Sequence, residues 1–235
     1  MTAQIVFKPQ SYSLSGLHGI SDQTLDLHLG PYEGYVKATN TLNEKISALL
    51  ENDGVDHENT PAYSELKRRL EFEYNGMVLH EYYFGNLGRA VAEAPKAGSE
   101  FWQRVQTGFE SFARWRSDFT SAGAMRGIGW AICYADPASG RLSNHWIASH
   151  EVGHVAGYRP LLVMDLRERA FLLDYKPAAK EKYIAAFFFQ RRLALRRKTS
   201  GAGLAPGRRP GSDRGSDPPA GGCASHAPRE QHDSY

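Results

Sequence analysis

The sequence predicts an α+β protein. Three observations carry that expectation: apolar residues at helical spacing through the first half, three short apolar runs separated by turn residues in the middle, and a return to helical patterning before a polar tail. The 235 residues are 41% hydrophobic and include 11 Phe, 12 Tyr and 4 Trp, enough to bury one sizeable core, in one or two sub-regions. Lys and Arg total 28 against 26 Asp and Glu, and a net charge of +2 supplies no general field for nucleic acid or an anionic membrane, so neither partner is expected. The 2 cysteines, Cys133 in an apolar run and Cys223 in a polar stretch, make no disulfide framework and fit a reducing compartment. Met1-Thr2-Ala3-Gln4 lacks a basic region followed by an apolar one, and no segment approaches the roughly 18 apolar residues of a membrane span. A soluble, cytoplasmic protein is the expectation.

The first helix is expected from Ser21, an N-cap backed by Asp22, with Leu25, His28, Tyr32, Tyr35 and Val36 on one face. Pro31 lies inside this pattern and is expected to kink or interrupt it, because it removes a backbone donor and crowds the preceding turn. Thr60-Pro61 signals a second start, a cap followed by proline in the first turn, leading through Leu66 and Leu70 to Met77, His80 and Phe84. Asn75-Gly76 is expected to loosen that helix just before His80. Glu100 to Arg116 reads as one or two amphipathic helices, with Phe101, Val105, Phe109, Phe112 and Trp115 apolar. A buried strand over Gly127–Tyr134 ends at the turn Asp136-Pro137-Ala138-Ser139-Gly140; further strands follow near Arg141–Ala148 and Leu161–Met164, as a short antiparallel meander. Helix is expected again from Glu168 and from Ala178 to about Arg197. From Thr199 to Tyr235, Gly, Pro and Ser supply 17 of 37 residues, which predicts a disordered tail without chemistry of its own.

His28 and His80 lie on apolar faces of separate helices, and Asp165 ends an apolar strand. Taken singly, a helix-face histidine is usually a hydrogen-bonded core residue, and Asp165 can simply cap the next helix. Taken together, neutral imidazole and carboxylate suit first-row transition metals, and two histidines with one carboxylate leave coordination positions open.

Leu27-His28, Tyr35-Val36 and Asn40, then Asn75-Gly76 ahead of His80, then Gly127-Ile128-Gly129-Trp130-Ala131, then Pro160-Leu161-Leu162 leading to Asp165, Glu168, Ala170-Phe171 and Asp174-Tyr175, form an ordered set over about residues 10–190. In this order they resemble the iron/manganese superoxide dismutase family. The resemblance implies an N-terminal helical hairpin domain (1–95), a C-terminal α+β metal-binding domain (96–198) with a three-stranded antiparallel sheet, and the tail (199–235). It also implies one Fe or Mn per chain, superoxide as substrate, and a homodimer. Carried over position by position, His28, His80 and Asp165 match metal ligands. Tyr35 matches the gateway tyrosine that shapes substrate access, and His150 is the candidate outer-sphere residue drawn from the sheet. Gly76, four before His80, resembles members with that arrangement.

The departures are as informative. Where the family reads Asp-x-Trp-Glu-His-Ala, this chain has Asp165-Leu166-Arg167-Glu168-Arg169-Ala170, so Arg169 stands at the last histidine ligand and Arg167 at the pocket tryptophan. Arginine has no lone pair to give and stays protonated, so Arg169 cannot ligate a cation. At i+4 from Asp165 it is expected to pair with that carboxylate and compete with the metal. After Phe188 the chain also leaves the family pattern, as a shifted reading frame would make it do.

A second motif competes. His150-Glu151-Val152-Gly153-His154 fits H-E-x-x-H, the zinc-peptidase pattern in which both histidines bind from one helix face. Gly153, Gly157, Val152, Val155 and Pro160 disfavour a helix there. The sequence therefore reads as a superoxide dismutase whose activity Arg169 is expected to impair. The alternative is a catalytically inactive scaffold of the same fold, and a zinc peptidase comes after both. The runs Arg191-Arg192 and Arg196-Arg197-Lys198 read as a solvated face at a helix end.

Overall fold

Helix α1 (Asp22–Glu51) begins where its cap was expected, the Ser21 hydroxyl accepting the Thr24 N–H at 3.1 Å. The computed structural model describes residues 5–51, 54–88 and 94–190. The tail, the basic runs after residue 190, the end of the last expected helix and Cys223 lie outside the described residues. The helix runs unbroken through Pro31, against the expected interruption. The carbonyl that loses its donor belongs to Leu27, on the exposed side, while Leu25, His28 and Tyr32 fix the opposite side in the core.

Helix α2 (Thr60–Asn86) packs along α1 and carries Pro61 in its first turn. Asn59 precedes it without a side-chain cap, and the Thr60 hydroxyl instead donates to the Asp56 carbonyl at 2.5 Å. The expected loosening at Asn75-Gly76 does not occur. Gly76 is buried within the helix because two rings press on it: a Cβ there would lie 2.7 Å from His150 Nδ1 and 2.8 Å from Tyr35 Cδ1.

Two further helices follow, α3 (Glu100–Phe109) and α4 (Phe112–Ala124), capped by Ser99 and Ser111. They are separated at Glu110, whose φ of 63° places a non-glycine residue in the left-handed region. Phe101, Val105 and Trp115 are buried, Phe109 and Phe112 partly so.

Strands β1 (Trp130–Ala135), β2 (Leu142–Ile147) and β3 (Arg159–Asp165) form one antiparallel sheet in the order β2-β1-β3. The expected meander, which would put β2 in the middle, is thereby corrected. All six residues of β1 are buried whereas β2 is half-exposed over most of its length, so β1 takes the doubly paired position and β2 an edge. The register sets Asp165 directly opposite Trp130. Gly129, just before β1, has φ +142°, and a Cβ on it would fall 2.0 Å from the Ile147 carbonyl oxygen. Only glycine admits that approach. Cys133 is buried as a small apolar residue, its thiol pushed up to about 12 by desolvation.

The helix expected from Glu168 is only a 3-10 turn, Glu168–Ala170, followed by another at Pro177–Ala179 and then α5 (Lys180–Gln190). Two side chains tie these parts together. Asn86, at the end of α2, accepts the Val163 N–H at 3.0 Å and donates to the Leu161 carbonyl at 3.2 Å, pairing with β3 as a further strand would. Asp174 accepts from the Ser21 N–H at 2.9 Å and the Thr24 hydroxyl at 2.8 Å. Buried Trp115, Phe119, Trp130, Tyr183 and Phe187 lie in the same apolar cluster as Tyr32, Met77 and Phe84 of the first two helices.

Gly129→Ala is expected to lower the unfolding free energy, measured by urea denaturation, by about 3 kcal/mol or more, since neither the backbone angle nor the Ile147 carbonyl can yield. Gly34→Ala, on an exposed helical surface with nothing within 4 Å, is expected to stabilise the same protein by about 0.5–1 kcal/mol. Equal effects of the two would contradict this account.

Candidate metal centre

Each ligand candidate comes from a different element: His28 from α1, His80 from α2 and Asp165 from the end of β3. All are buried, at 1%, 2% and 0% exposure. Each offers one ligand atom, and these atoms lie within 4.8 Å of one another. His80 Nδ1 is 2.6 Å from the Gly76 carbonyl, which can only accept, so Nδ1 carries the proton and Nε2 keeps its lone pair. That lone pair lies 3.8 Å from Asp165 Oδ2. His28 Nε2 is 3.0 Å from the same oxygen, and His28 Nδ1 has no partner. The His80 lone pair, the His28 Nε2 and a carboxylate converging in a dry interior are what a cation would draw together, taking the place of the His28 proton, and the donor set fits iron or manganese.

Asp165 is held by both ends. Its Oδ1 accepts the Arg167 N–H at 2.7 Å, and its backbone carbonyl accepts the Tyr183 hydroxyl at 2.7 Å. The dull reading of Asp165 as a cap and the sharp one therefore coexist, on different oxygens. Burial alone would raise its carboxyl, but the His28 hydrogen bond, the two imidazoles and the Arg167 amide hold it below the usual carboxylate range.

Tyr35 and His150 flank this group. Their rings sit 4.9 Å apart, and the ring centroids of Tyr35 and His150 are 5.1 Å and 6.0 Å from that of His80. His150 Nδ1 lies 3.2 Å from the Phe72 carbonyl, which fixes its proton there and leaves buried Nε2 without a partner. Burial, with the Arg167 charge second, pushes His150 down to about 4, and burial pushes His80 down to about 3. Burial raises the Tyr35 phenol, so it stays protonated at neutral pH. The structure thus brings together all five candidates, His28, His80, Asp165, Tyr35 and His150. The sequence reading passed over Phe72, whose backbone orients His150, and Tyr183, which orients Asp165; neither role leaves a local signal in the chain.

A cleft of about 520 Å³ reaches the group, lined by Tyr35, Phe72, Arg69, Arg167, Glu168 and Arg169 among others. Arg169 is exposed and makes no ion pair with Asp165. The expected i+4 pairing fails because Asp165 ends a strand and only a 3-10 turn follows, so the two residues share no helix face. The H-E-x-x-H segment is not helical either. Residues 148–153 form bends, Gly153 and Gly157 have φ +101° and +77°, and the His154 ring bonds to the His150 carbonyl at 2.6 Å and the Tyr134 hydroxyl at 2.8 Å. Its histidines do not share the helix face a zinc peptidase uses.

A helical N-terminal part, an antiparallel sheet and a buried two-histidine, one-carboxylate group define an α+β protein with a constellation suited to one first-row transition metal. Residues 97–190 match the model for iron/manganese superoxide dismutases, C-terminal domain. The chain is 34% identical to "Superoxide dismutase [Fe]" of Aquifex pyrophilus, over 77% of this chain and 82% of that protein. It is 32% identical to "Superoxide dismutase [Fe]" of Saccharolobus solfataricus, over 75% and 86%, and 28% identical to "Superoxide dismutase [Mn] 2" of Haloferax volcanii, over 77% and 86%. The chain belongs to the iron/manganese superoxide dismutase family, whose cofactor is iron or manganese.

The two depressed histidines set a pH dependence. Because their folded values of about 3 and about 4 lie below the ordinary 6.5, the unfolded chain binds more protons between those limits. Their contribution is complete above about pH 6.5 and is lost as pH falls toward about 4. The urea midpoint of the metal-free protein is expected to fall across that window, and less steeply in His150→Gln. An identical pH slope in the two proteins would count against buried, neutral His150.

Proposed function

We propose that this protein is a superoxide dismutase, with one Fe or Mn per chain held by His28, His80 and Asp165. The observation that carries the reading is the convergence of these three buried donors in a member of this family. A metal ion there supplies one-electron redox chemistry, so that one superoxide is oxidised to dioxygen while a second, with two protons, is reduced to hydrogen peroxide. The chain's own part is to hold that charge and serve the protons. His80 presents a neutral imidazole, His28 holds its Nε2 at the same carboxylate oxygen, and Asp165 supplies the negative charge that favours a cation in the interior. Tyr35 keeps its phenolic proton and can donate it in a hydrogen bond. His150, whose ring lies 4.9 Å from that of Tyr35, keeps a buried Nε2 free to accept a hydrogen bond. Phe72 and Gly76 fix the two imidazole tautomers by accepting from Nδ1.

Arg169 favours a second reading, a scaffold that keeps the fold and has lost the chemistry, since it removes a ligand and adds a positive charge at the cleft. A homodimer and a cytoplasmic location belong to the same proposal, the first supported by family membership, the second by the cysteine usage. No described helix is long and apolar enough to cross a membrane.

Metal-replete protein is expected to consume superoxide, and His80→Ala to abolish that turnover. Arg169→His is expected to raise metal affinity by more than about tenfold, because even outer-shell changes alter metal affinity by roughly that factor. Turnover absent from the parent and restored by Arg169→His would establish the scaffold reading, while absence from both would reject the dismutase altogether.

A further inference from the structure

Only the first histidine of the H-E-x-x-H run flanks the metal centre, yet the second is bonded at both ring nitrogens. His154 Nε2 lies 2.6 Å from the His150 carbonyl, which can only accept, so Nε2 carries the proton. Nδ1 is left as the acceptor, 2.8 Å from the Tyr134 hydroxyl. Tyr134 is 1% exposed, and His154 is the one hydrogen-bond partner of its hydroxyl among the described residues. Burial pushes that phenol up to about 12, so it keeps the proton it donates. The His154 ring therefore ties the backbone of His150 to β1, the central strand of the sheet.

Little else fixes this segment. Residues 149–154 lie in neither helix nor strand and make no backbone–backbone hydrogen bond among the described residues. The chain turns back at Gly153, where φ is +101° and a Cβ would fall 2.9 Å from Ile147 Cγ2. Glu151, the general base of the peptidase pattern, accepts instead from the Ser149 hydroxyl. His150 has no exposed surface, and its Nδ1 lies 3.2 Å from the Phe72 carbonyl. Its ring is thus held by α2 and its backbone, through His154, by β1.

We propose that His154 is the positioning residue of His150, closing the loop onto Tyr134 so that the His150 imidazole stays against Tyr35 with Nε2 buried. The inference rests on the proposed function for its consequence, because an outer-sphere imidazole serves the centre only in that place. The contact itself needs neither metal nor turnover. An imidazole and a carboxamide both present an acceptor and a donor separated by a single carbon, so glutamine can stand in for His154 where leucine cannot.

The test is modification of the full-length protein, stripped of metal so that no ion shields a ring, by diethyl pyrocarbonate, which acylates unprotonated imidazole. Each histidine is read by peptide mass. In the parent, His150 is expected to react far more slowly than exposed His57. His154→Leu is expected to speed its reaction by about tenfold or more, the worth of the two hydrogen bonds lost. Tyr134→Phe is expected to speed it as well, and His154→Gln to keep the parent's protection. His28 and His80, also buried, are expected to keep their rates throughout. His154 is exposed, so its replacement leaves the core intact. The readout consumes no superoxide, so failure of the dismutase reading would leave it standing. Unchanged His150 reactivity in His154→Leu or Tyr134→Phe would overturn the inference. So would His28 and His80 speeding up in step with His150, the mark of general loosening, or His154→Gln reacting as fast as His154→Leu.

Discussion

A carboxylate with no exposed surface, Asp165, closes the end of β3 against the buried imidazoles of His28 and His80, and much of the architecture is arranged around holding that charge. A lone buried carboxylate is expensive unless it is bonded or balanced by a cation. Here the Arg167 amide secures one oxygen and His28 the other, while Tyr183 secures the backbone behind them. Asn86 holds α2 to β3, and Asp174 holds the start of α1 to the segment that follows β3, so the histidines arrive at fixed positions. The rigidity of the site is therefore a property of the joints between elements, with no single element supplying it.

The same arrangement explains why glycine at position 76 matters. With no side chain there, α2 leaves room for His150 to enter from the segment after β2 and lie against Tyr35. The outer pair of the site is thus set by a void in one helix and a ring delivered by a distant loop. Arg167 and Arg169 alter the character of the surrounding cleft: an aromatic wall and a ligand in the family pattern become two cationic donors. That change reduces what the chain offers to a cation.

Much of this was legible in the sequence, where the signal was local or where many weak signals fell in order. Ser21 announced α1, Asp136 to Gly140 announced the turn after β1, and the ordered motifs around His28, His80 and Asp165 pointed to one site. The illegible part depended on contacts far apart in the chain. Pro31 is tolerated because Leu27 faces outward, the order of the sheet reflects the complete burial of β1, and Asn86 acts on a strand more than seventy residues away. The Arg169–Asp165 pairing failed because spacing was read as helix where the chain makes only a 3-10 turn.

The central claim is that His28, His80 and Asp165 act as one metal site. Its most direct test is elemental analysis of the purified protein, per chain, alongside Asp165→Asn, a substitution that keeps the shape and removes the charge. The account predicts iron or manganese approaching one per chain in the parent and its loss in the variant. Zinc in place of either metal, or a metal content unaffected by Asp165→Asn, would contradict it.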